Sequence, residues 1–321
     1  SGYPALVELF LRDAFGQTRT RQNVFPAGFA LMTRARVFES ESNFGSFVRA
    51  RPESKPWLDL ADDLARKGTD LLRQHSAPIA EPRHFTFSGV FVRAHQSFQA
   101  AILLAENGMI GDARTAIRSA AESGIALQAL AVNPTFVDQL VKAHQRRLRI
   151  VANITLQNPE YRKHYPAEEI SQMEALVADS TKIPDIKWEQ VAADHCPDLY
   201  QLVYRYASAD VHVTADSIQR YFVFDANGRI QSLNVAPNTG GLVDTLRLAC
   251  IAMLWALDAY DRLYQPPSLK DELQGFFRRF QALPANEISK SSAASSNWRR
   301  VVTAVGAVTL LGVGILIVFR W

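Results

Sequence analysis

The sequence predicts an all-α protein: a helical bundle with one small β-hairpin insertion and one C-terminal transmembrane helix. Three observations predict this class. Apolar residues recur at helical spacing along most of the 321 residues. A single passage, 220–237, has the character of paired strands, and Asn227-Gly228 at its centre is a strong hairpin signal. Near the end of the chain, residues 301–319 carry no charge.

Composition places the chain among ordinary folded proteins. It is 48% hydrophobic and 21% charged, which is enough apolar material for a core and excludes an intrinsically disordered protein. Cys196 and Cys250 are too few for a disulfide framework and show no metal-ligand spacing. We therefore expect no metal and no cofactor.

Long helices are predicted in the first half of the chain, and each of the last three is followed by a stop signal. These signals are Asn107-Gly108, which is a natural C-cap, and the helix-breaking prolines Pro134 and Pro159. Because only a few residues connect the last three of these helices, we expect them to pack as antiparallel neighbours. The predicted helices span 57–74, 90–108, 112–133 and 135–158.

The second half of the chain combines shorter helices with the hairpin and one long helix. A helix that begins at Pro197 carries the stretch 204–216, since proline suits a first helical turn. A long helix follows Gly241 to about Tyr264, and its middle is apolar all round, which is typical of a central, buried helix. Further helices are predicted over 167–180, 187–195 and 268–283.

The chain end is predicted to be a membrane anchor. A helix over 301–319 is about 28 Å long, close to the thickness of the hydrocarbon core of a bilayer. Arg299 and Arg300 precede it, which favours a cytoplasmic position for the N-terminal bulk. We therefore expect a single-pass protein of the inner membrane, with the lipid bilayer as a partner.

These elements group into four regions. Residues 1–83 form an N-terminal helical segment, 84–266 the bundle, 267–297 an amphipathic helix with a flexible serine-rich linker, and 298–321 the transmembrane tail anchor. The net charge of +3 is concentrated near the anchor, so the rest of the chain lacks the basic footprint of a general nucleic-acid binder.

Arg205 and His212 are the candidate catalytic residues. Seven positions are close to two helical turns, so on one continuous helix the two side chains share a face about 10 Å apart. The arginine could hold a scissile phosphate of RNA while the histidine moves a proton, and this chemistry needs no metal. Ser208 and Asp216 lie near the same stripe and are candidate binding residues. The alternative is that Arg205 and His212 form a structural pair.

Arg114, Arg118 and Glu122 occupy successive turns of an earlier helix. They could line a polar cleft opposite His212, and we take Arg118 and Glu122 as candidate binding residues there. Glu122 could then orient His212 or bind a ligand amine. Alternatively, Arg118 and Glu122 pair within their helix or fix the register of a neighbouring helix.

The stretch 204–212, YRYASADVH, resembles the HEPN superfamily, whose members share a loose Arg-x4–6-His pattern. Residues 101–134 resemble an uncharacterised bacterial family of helical proteins that are often compared with HEPN domains. The resemblance covers roughly 85–265 and implies a HEPN-like bundle with metal-independent ribonuclease activity, of toxin or phage-defence type. Tyr206 departs from the pattern, since HEPN nucleases usually have a small polar residue there.

Three functions stay open at this point. The first is a membrane-anchored effector that cleaves RNA with Arg205 and His212 as a homodimer or higher homo-oligomer. The second is a non-enzymatic, membrane-tethered module that binds a ligand or a partner in its polar cleft. The third is a membrane-disrupting effector that acts through its C-terminal helix. The Arg–His stripe favours the first function, and the near-neutral charge of residues 1–267 favours the second.

Overall fold

The structure is a computed structural model that describes residues 51–74, 81–179, 181–212, 217–218, 221–225, 230–234, 237 and 239–284. The helices are α1 (Lys55–Gln74), α2 (Pro82–Glu106), α3 (Ile110–Val132), α4 (Phe136–Gln157), α5 (Pro159–Arg162), α6 (Ala167–Ala178), α7 (Trp188–His195), α8 (Arg205–Ser208), α9 (Leu242–Tyr264) and α10 (Leu269–Ala282). A π-helical segment, π1 (Leu199–Tyr204), leads directly into α8.

Helix α3 is the centre of the bundle. Every residue from Ser123 to Ala131 is buried, because α2, α9, α7 and π1 surround this half of the helix. Small residues let these neighbours approach closely: a Cβ atom added to Gly124 would lie 3.0 Å from the Cδ2 atom of Leu199. Helix α2 contributes a row of buried aromatic rings to the same core, Phe87, Phe91 and Phe98.

The predicted stop signals act as expected. Helix α2 ends at Glu106, and Gly108 adopts a φ of 71°, the left-handed conformation typical of a helix C-terminus. Helices α3 and α4 end shortly before Pro134 and Pro159. The three later helices that were predicted over 167–180, 187–195 and 268–283 are also confirmed, as α6, α7 and α10.

The packing of the long helices differs from the expectation. Helices α2 and α3 pack against each other, but α9 takes the remaining side of α3, and α4 contacts them mainly through its first residues. The reason is that α9 is apolar on most of its surface, whereas α4 is apolar on limited faces. Helix α4 instead extends away from the bundle core and packs on α6.

The predicted hairpin is confirmed as a two-stranded antiparallel sheet, β1 (Phe222–Phe224) and β2 (Ile230–Leu233). Phe222 faces Leu233 in the register, and the backbone N–H of Asn234 donates to the carbonyl of Tyr221 at 2.8 Å. All four residues of β2 are exposed. The turn with Asn227-Gly228 lies outside the described residues.

The predicted continuous helix from Pro197 through 216 is wrong. Helix α8 ends at Ser208, and the chain then turns through Ala209 and Asp210, so His212 is not on the helix that carries Arg205. Aspartate and β-branched valine are weak helix formers. The turn also lets the Asp210 carboxylate reach Arg114 on α3.

The predicted single-pass membrane architecture is corrected as well. In the part of the chain that the structure describes, no helix is both long and apolar enough to cross a bilayer. The long central helix α9, for example, carries Asp244, Arg247 and Asp258. The predicted span, 298–321, lies outside the described residues. The expected tail anchor, bilayer partner and inner-membrane location are therefore not carried further.

Candidate functional site

Arg118 of α3 is held by the π1–α8 segment. Its Nε donates to the Oγ atom of Ser208 at 3.1 Å, and its Nη2 donates to the hydroxyl oxygen of Tyr204 at 2.9 Å. The guanidinium carbon lies 4.9 Å from the centroid of the Tyr204 ring, which is a cation–π contact. Two of the predicted binding residues, Arg118 and Ser208, are thus brought together.

Arg114 lies one turn earlier on α3 and makes a parallel set of contacts. Its Nη1 lies 3.3 Å from the Oδ2 atom of Asp210, and the two side chains are only 12% and 5% exposed. Its Nε donates to the Thr245 hydroxyl at 3.2 Å, and its guanidinium carbon lies 5.0 Å from the Tyr206 ring centroid. The positive charge of Arg114 is therefore balanced by a buried carboxylate.

Helix α9 begins beside this arginine. Gly241, with a φ of 75°, precedes α9, and a Cβ atom there would lie 2.7 Å from the Nη2 atom of Arg114. Burial raises the pKa of Asp244 in the first turn of α9, while the charges of Arg114 and Arg247 act to lower it. The start of α9 thus packs directly on the Arg114 side of the site.

Arg118 differs from Arg114 in its electrostatic environment. Both are partly buried, but the contacts of Arg118 are to neutral groups, and no ion pair among the described residues includes it. Guanidinium carries five N–H donors, of which these contacts use two. The Tyr204 hydroxyl accepts from Arg118, so its own O–H can donate to a further acceptor. The arrangement has the donors and the charge for an anion.

The Tyr204 ring is positioned by a second tyrosine. The rings of Tyr200 and Tyr204 stack with centroids 5.1 Å apart and an interplanar angle of 17°. Burial, and then the nearby Glu189 carboxylate, raise the pKa of Tyr200. Single π-helical turns are frequent at functional sites, and here π1 carries both rings at the edge of the site.

Glu122 does not join this site. Its Oε1 lies 3.5 Å from the Nη2 atom of Arg93 on α2, and its side chain is mostly buried. Of the alternatives that the sequence left open, the geometry matches a contact to a neighbouring helix rather than a pair with Arg118. Glu122 therefore connects α3 to α2 on a different side from Ser208.

Arg205 and His212 are both exposed. The Nη1 of Arg205 donates to the Oε1 atom of Gln201, one turn earlier, at 3.0 Å. The backbone carbonyl of His212 accepts from the Ser217 hydroxyl at 2.9 Å. None of the described contacts joins Arg205 to His212, so their catalytic role stays a prediction. Asp216 lies outside the described residues.

Sequence reasoning missed the tyrosines and the aspartate of the 204–210 stretch. Tyr204 and Ser208 are four residues apart and both contact Arg118, while Tyr206 and Asp210 are also four apart and both contact Arg114. The sequence does contain the signal. Two pairs, each a tyrosine followed four residues later by a polar residue, interleave in 204–210, and Arg114 and Arg118 have the same spacing of four on α3. Among the described residues, no cluster of His, Cys, Asp and Glu could hold a metal ion.

Part of the chain matches the model of a known family. Residues 84–230 match DUF5677, a family of unknown function. The matched region includes α2, α3 and the 204–210 stretch, and therefore both arginines with their tyrosines. No curated protein and no solved structure matches the chain significantly. These findings give no support to the expected phage-defence role, which is withdrawn, and they do not show HEPN membership.

Proposed function

We propose that this helical protein binds a phosphate ester, with Arg118, Tyr204 and Ser208 as the binding residues. The observation that carries the proposal is the environment of Arg118: a partly buried guanidinium whose contacts in the described residues are all to neutral groups. This is the ligand-binding alternative of the sequence analysis, without the membrane tether.

Electrostatics support an anion at this position. Removing a cation from water costs free energy unless a negative charge compensates it. Arg114 sits one turn away in a similar setting and has the Asp210 carboxylate. Arg118 has the same cation–π support from a tyrosine but no carboxylate among the described residues. A bound anion would supply the charge that Asp210 supplies to Arg114.

The donor geometry supports a phosphate group. Guanidinium presents parallel N–H donors that match two oxygens of a phosphate, and hydrogen bonds between charged groups are about twice as strong as neutral ones. The Tyr204 hydroxyl adds a donor beside the guanidinium, and Ser208 fixes its orientation through Nε. Glu122, one turn after Arg118 on α3, is turned to Arg93 and does not enter the site.

Calorimetric titration with inorganic phosphate, adenosine monophosphate and acetate tests this function. We expect Arg118→Gln to raise the Kd for the phosphates at least about tenfold, because it removes a charge-assisted contact. Tyr204→Phe keeps the ring stack and should raise the Kd about threefold to tenfold. Arg278→Gln is the matched control, an exposed arginine on α10 that makes no ion pair among the described residues and whose loss should leave the Kd unchanged.

Two outcomes would overturn the proposal. One is that none of the phosphates binds to the wild type. The other is that Arg118→Gln and Arg278→Gln reduce affinity equally, which would indicate a general effect of positive charge. Preference for acetate over phosphate would move the ligand class to carboxylates.

The second candidate is metal-independent cleavage of RNA by Arg205 and His212. The specific observation that favours it is that both are exposed and lie within a few residues of Tyr204 and Ser208 in the chain. The Arg205-x6-His212 spacing resembles the HEPN pattern. In this function Arg118 positions the phosphodiester, Arg205 stabilises developing charge, and His212 transfers a proton.

Incubation of the purified protein with single-stranded RNA in the presence of a chelator tests cleavage. We expect His212→Ala and Arg205→Ala to abolish cleavage while the thermal midpoint of unfolding stays within about 2 °C, since both side chains are exposed. Uncleaved RNA with the wild type, or equal cleavage by wild type and His212→Ala, would eliminate this candidate.

A further inference from the structure

The surface of α4 that α6 leaves uncovered is apolar and exposed. We call its three side chains, Ile150, Val151 and Ile154, the α4 stripe. They are between 47% and 58% exposed. At 100° per residue they cover about 100° of the helix circumference. Such a width of exposed aliphatic surface is unusual on a helix that faces only water.

The position of α4 explains why the bundle does not bury this surface. Phe136 and Val137 at the start of the helix are buried, and Ala152 and Thr155 further along are buried where α4 packs on α6. A helix of this length extends about 33 Å. Its second half is therefore supported only by α6 and, through Arg149, by the loop that follows α6, among the described residues. This single layer cannot cover both faces of α4.

The charges along α4 make the stripe self-complementary. Residues 150–157 contain no charged side chain, and the basic Arg146, Arg147 and Arg149 precede them. Glu160, which follows, pairs with Lys163, so the acidic charge at this end comes from the exposed Glu168 and Glu169 in the first turn of α6. Arg146 and Arg149 pair with acids of the same chain, whereas Arg147 is exposed and makes no ion pair among the described residues. A parallel pairing of two such helices would place their arginines side by side.

We propose that the α4 stripe is an interface between two copies of this chain, paired antiparallel about a twofold axis level with the midpoint between Ile150 and Ile154. In this register Ile150 faces Ile154 of the second copy. The basic half of each α4 then lies along the end of its partner that carries Glu168 and Glu169. An isologous contact of this kind is the commonest oligomer symmetry.

The apolar surface extends past the end of α4. Tyr161 and Tyr165, on and just after α5, are more than a third exposed. Stable interfaces bury about 800 Å² on each partner and are enriched in tyrosine and arginine. Two tyrosines and Arg147 beside an aliphatic stripe give the surface this composition. The interface lies on α4–α5 and does not depend on the ligand site at Arg118.

Analytical ultracentrifugation of the full chain tests the interface. We expect the wild type to be a dimer at micromolar concentration, and Val151→Glu to weaken dimerisation at least about a hundredfold, because the twofold axis brings two introduced carboxylates together in an apolar contact. Leu103→Glu is the matched control: a similarly exposed aliphatic residue on α2, outside the stripe, whose change should leave the dimer intact.

Cysteine cross-linking tests the register. Cys196 and Cys250 are both buried, so an introduced surface thiol would dominate oxidation. We expect a mixture of Ile150→Cys and Ile154→Cys chains to form a heterologous disulfide in higher yield than either variant alone. A monomeric wild type, a Val151→Glu variant that dimerises normally, or a mixture that cross-links no better than the single variants would overturn the proposal.

Discussion

At the scale of the residue, the two arginines of α3 show how one carboxylate changes the role of a side chain. Arg114 and Arg118 lie one turn apart on α3, and each guanidinium stacks over a tyrosine ring. Among the described residues, only Arg114 also forms an ion pair, with Asp210. Arg114 therefore contributes to the stability of the fold. The proposed role of Arg118 in ligand binding follows from the same comparison.

Asp210→Asn tests the structural half of this comparison. It removes the negative charge from a nearly buried pair and leaves the Arg114 guanidinium uncompensated. We expect the free energy of unfolding to fall by about 3 kcal/mol, and Arg114→Met combined with Asp210→Leu to recover much of this loss. Urea denaturation measures both. An Asp210→Asn variant as stable as the wild type would show that the Asp210 carboxylate does not offset the buried charge of Arg114.

Gly241 offers a second test at this scale. Its positive φ disfavours any side chain, and a Cβ atom would meet the Arg114 guanidinium at 2.7 Å. We expect Gly241→Ala to lower the free energy of unfolding by about 1–3 kcal/mol. Gly275→Ala is the control, because it lies within α10 with nothing within 4 Å and should raise stability by roughly 0.5–1 kcal/mol. Equal effects at the two glycines would contradict the proposed strain.

At the scale of the element, helix α1 is joined to α2 through a buried histidine. The Nε2–H of His95 donates to the carbonyl of Ala65 at 2.9 Å, and the imidazole packs beside Gly68. Burial lowers the pKa of His95, while the hydrogen bond to Ala65 acts to raise it. The neutral imidazole is therefore the form that this helix contact requires.

The direction of this pKa shift sets how the stability of the protein depends on pH. Because the unfolded chain has the higher histidine pKa, about 6.5, it binds more protons than the folded chain below that pH. We expect the contribution of His95 to be complete above about pH 6.5 and to be lost as the pH falls through the lowered folded pKa. Denaturation at pH 5 and 7.5 measures this. His95→Gln should flatten the acid side of the profile, and an unchanged slope would exclude His95 as its source.

The elements were largely predictable from the sequence, but their partners were not. Helical spacing, Asn107-Gly108, Pro134 and Pro159 give most of the helix ends, because these signals are local. The contact of α3 with α9, in place of α4, depends on which surfaces remain apolar after the chain has folded. Local periodicity does not contain that information.

The candidate site was only partly predictable, because its contacts also depend on the tertiary fold. Arg118 and Ser208 were both selected, and they do meet, but they were assigned to a cleft around His212. The error came from extending one helix through Asp210, so that Arg205 and His212 shared a face. The turn after Ser208 is stabilised by a contact to Arg114, about a hundred residues earlier, and no local pattern reveals such a contact.

At the scale of the whole molecule, the ligand site and the α4 stripe lie on different elements and can be tested together. A ligand that binds only the folded state raises the thermal midpoint of unfolding with its concentration. We expect adenosine monophosphate at a hundred times its Kd to stabilise the wild type by about 2.7 kcal/mol. Differential scanning calorimetry measures the shift.

The same experiment separates the two proposals. Val151→Glu should keep the ligand-induced shift while losing the dependence of the midpoint on protein concentration. Arg118→Gln should lose the ligand-induced shift and keep the dependence of the midpoint on protein concentration. A variant that loses both responses would indicate that the two sites are coupled, which the positions of α3 and α4 do not predict.

The sequence separations within the site also have a consequence for biosynthesis. Arg118 and Ser208 are 90 residues apart, and Arg114 and Thr245 are 131 apart. At a synthesis rate of roughly 5–20 residues per second, α3 is translated on the order of 5–20 s before the tyrosines that complete its polar face. If the proposed site binds its ligand, a nascent chain cannot do so while α3 alone has emerged from the ribosome. Binding of the proposed ligand would then require the last stage of folding. Chains truncated before α8 would not bind it.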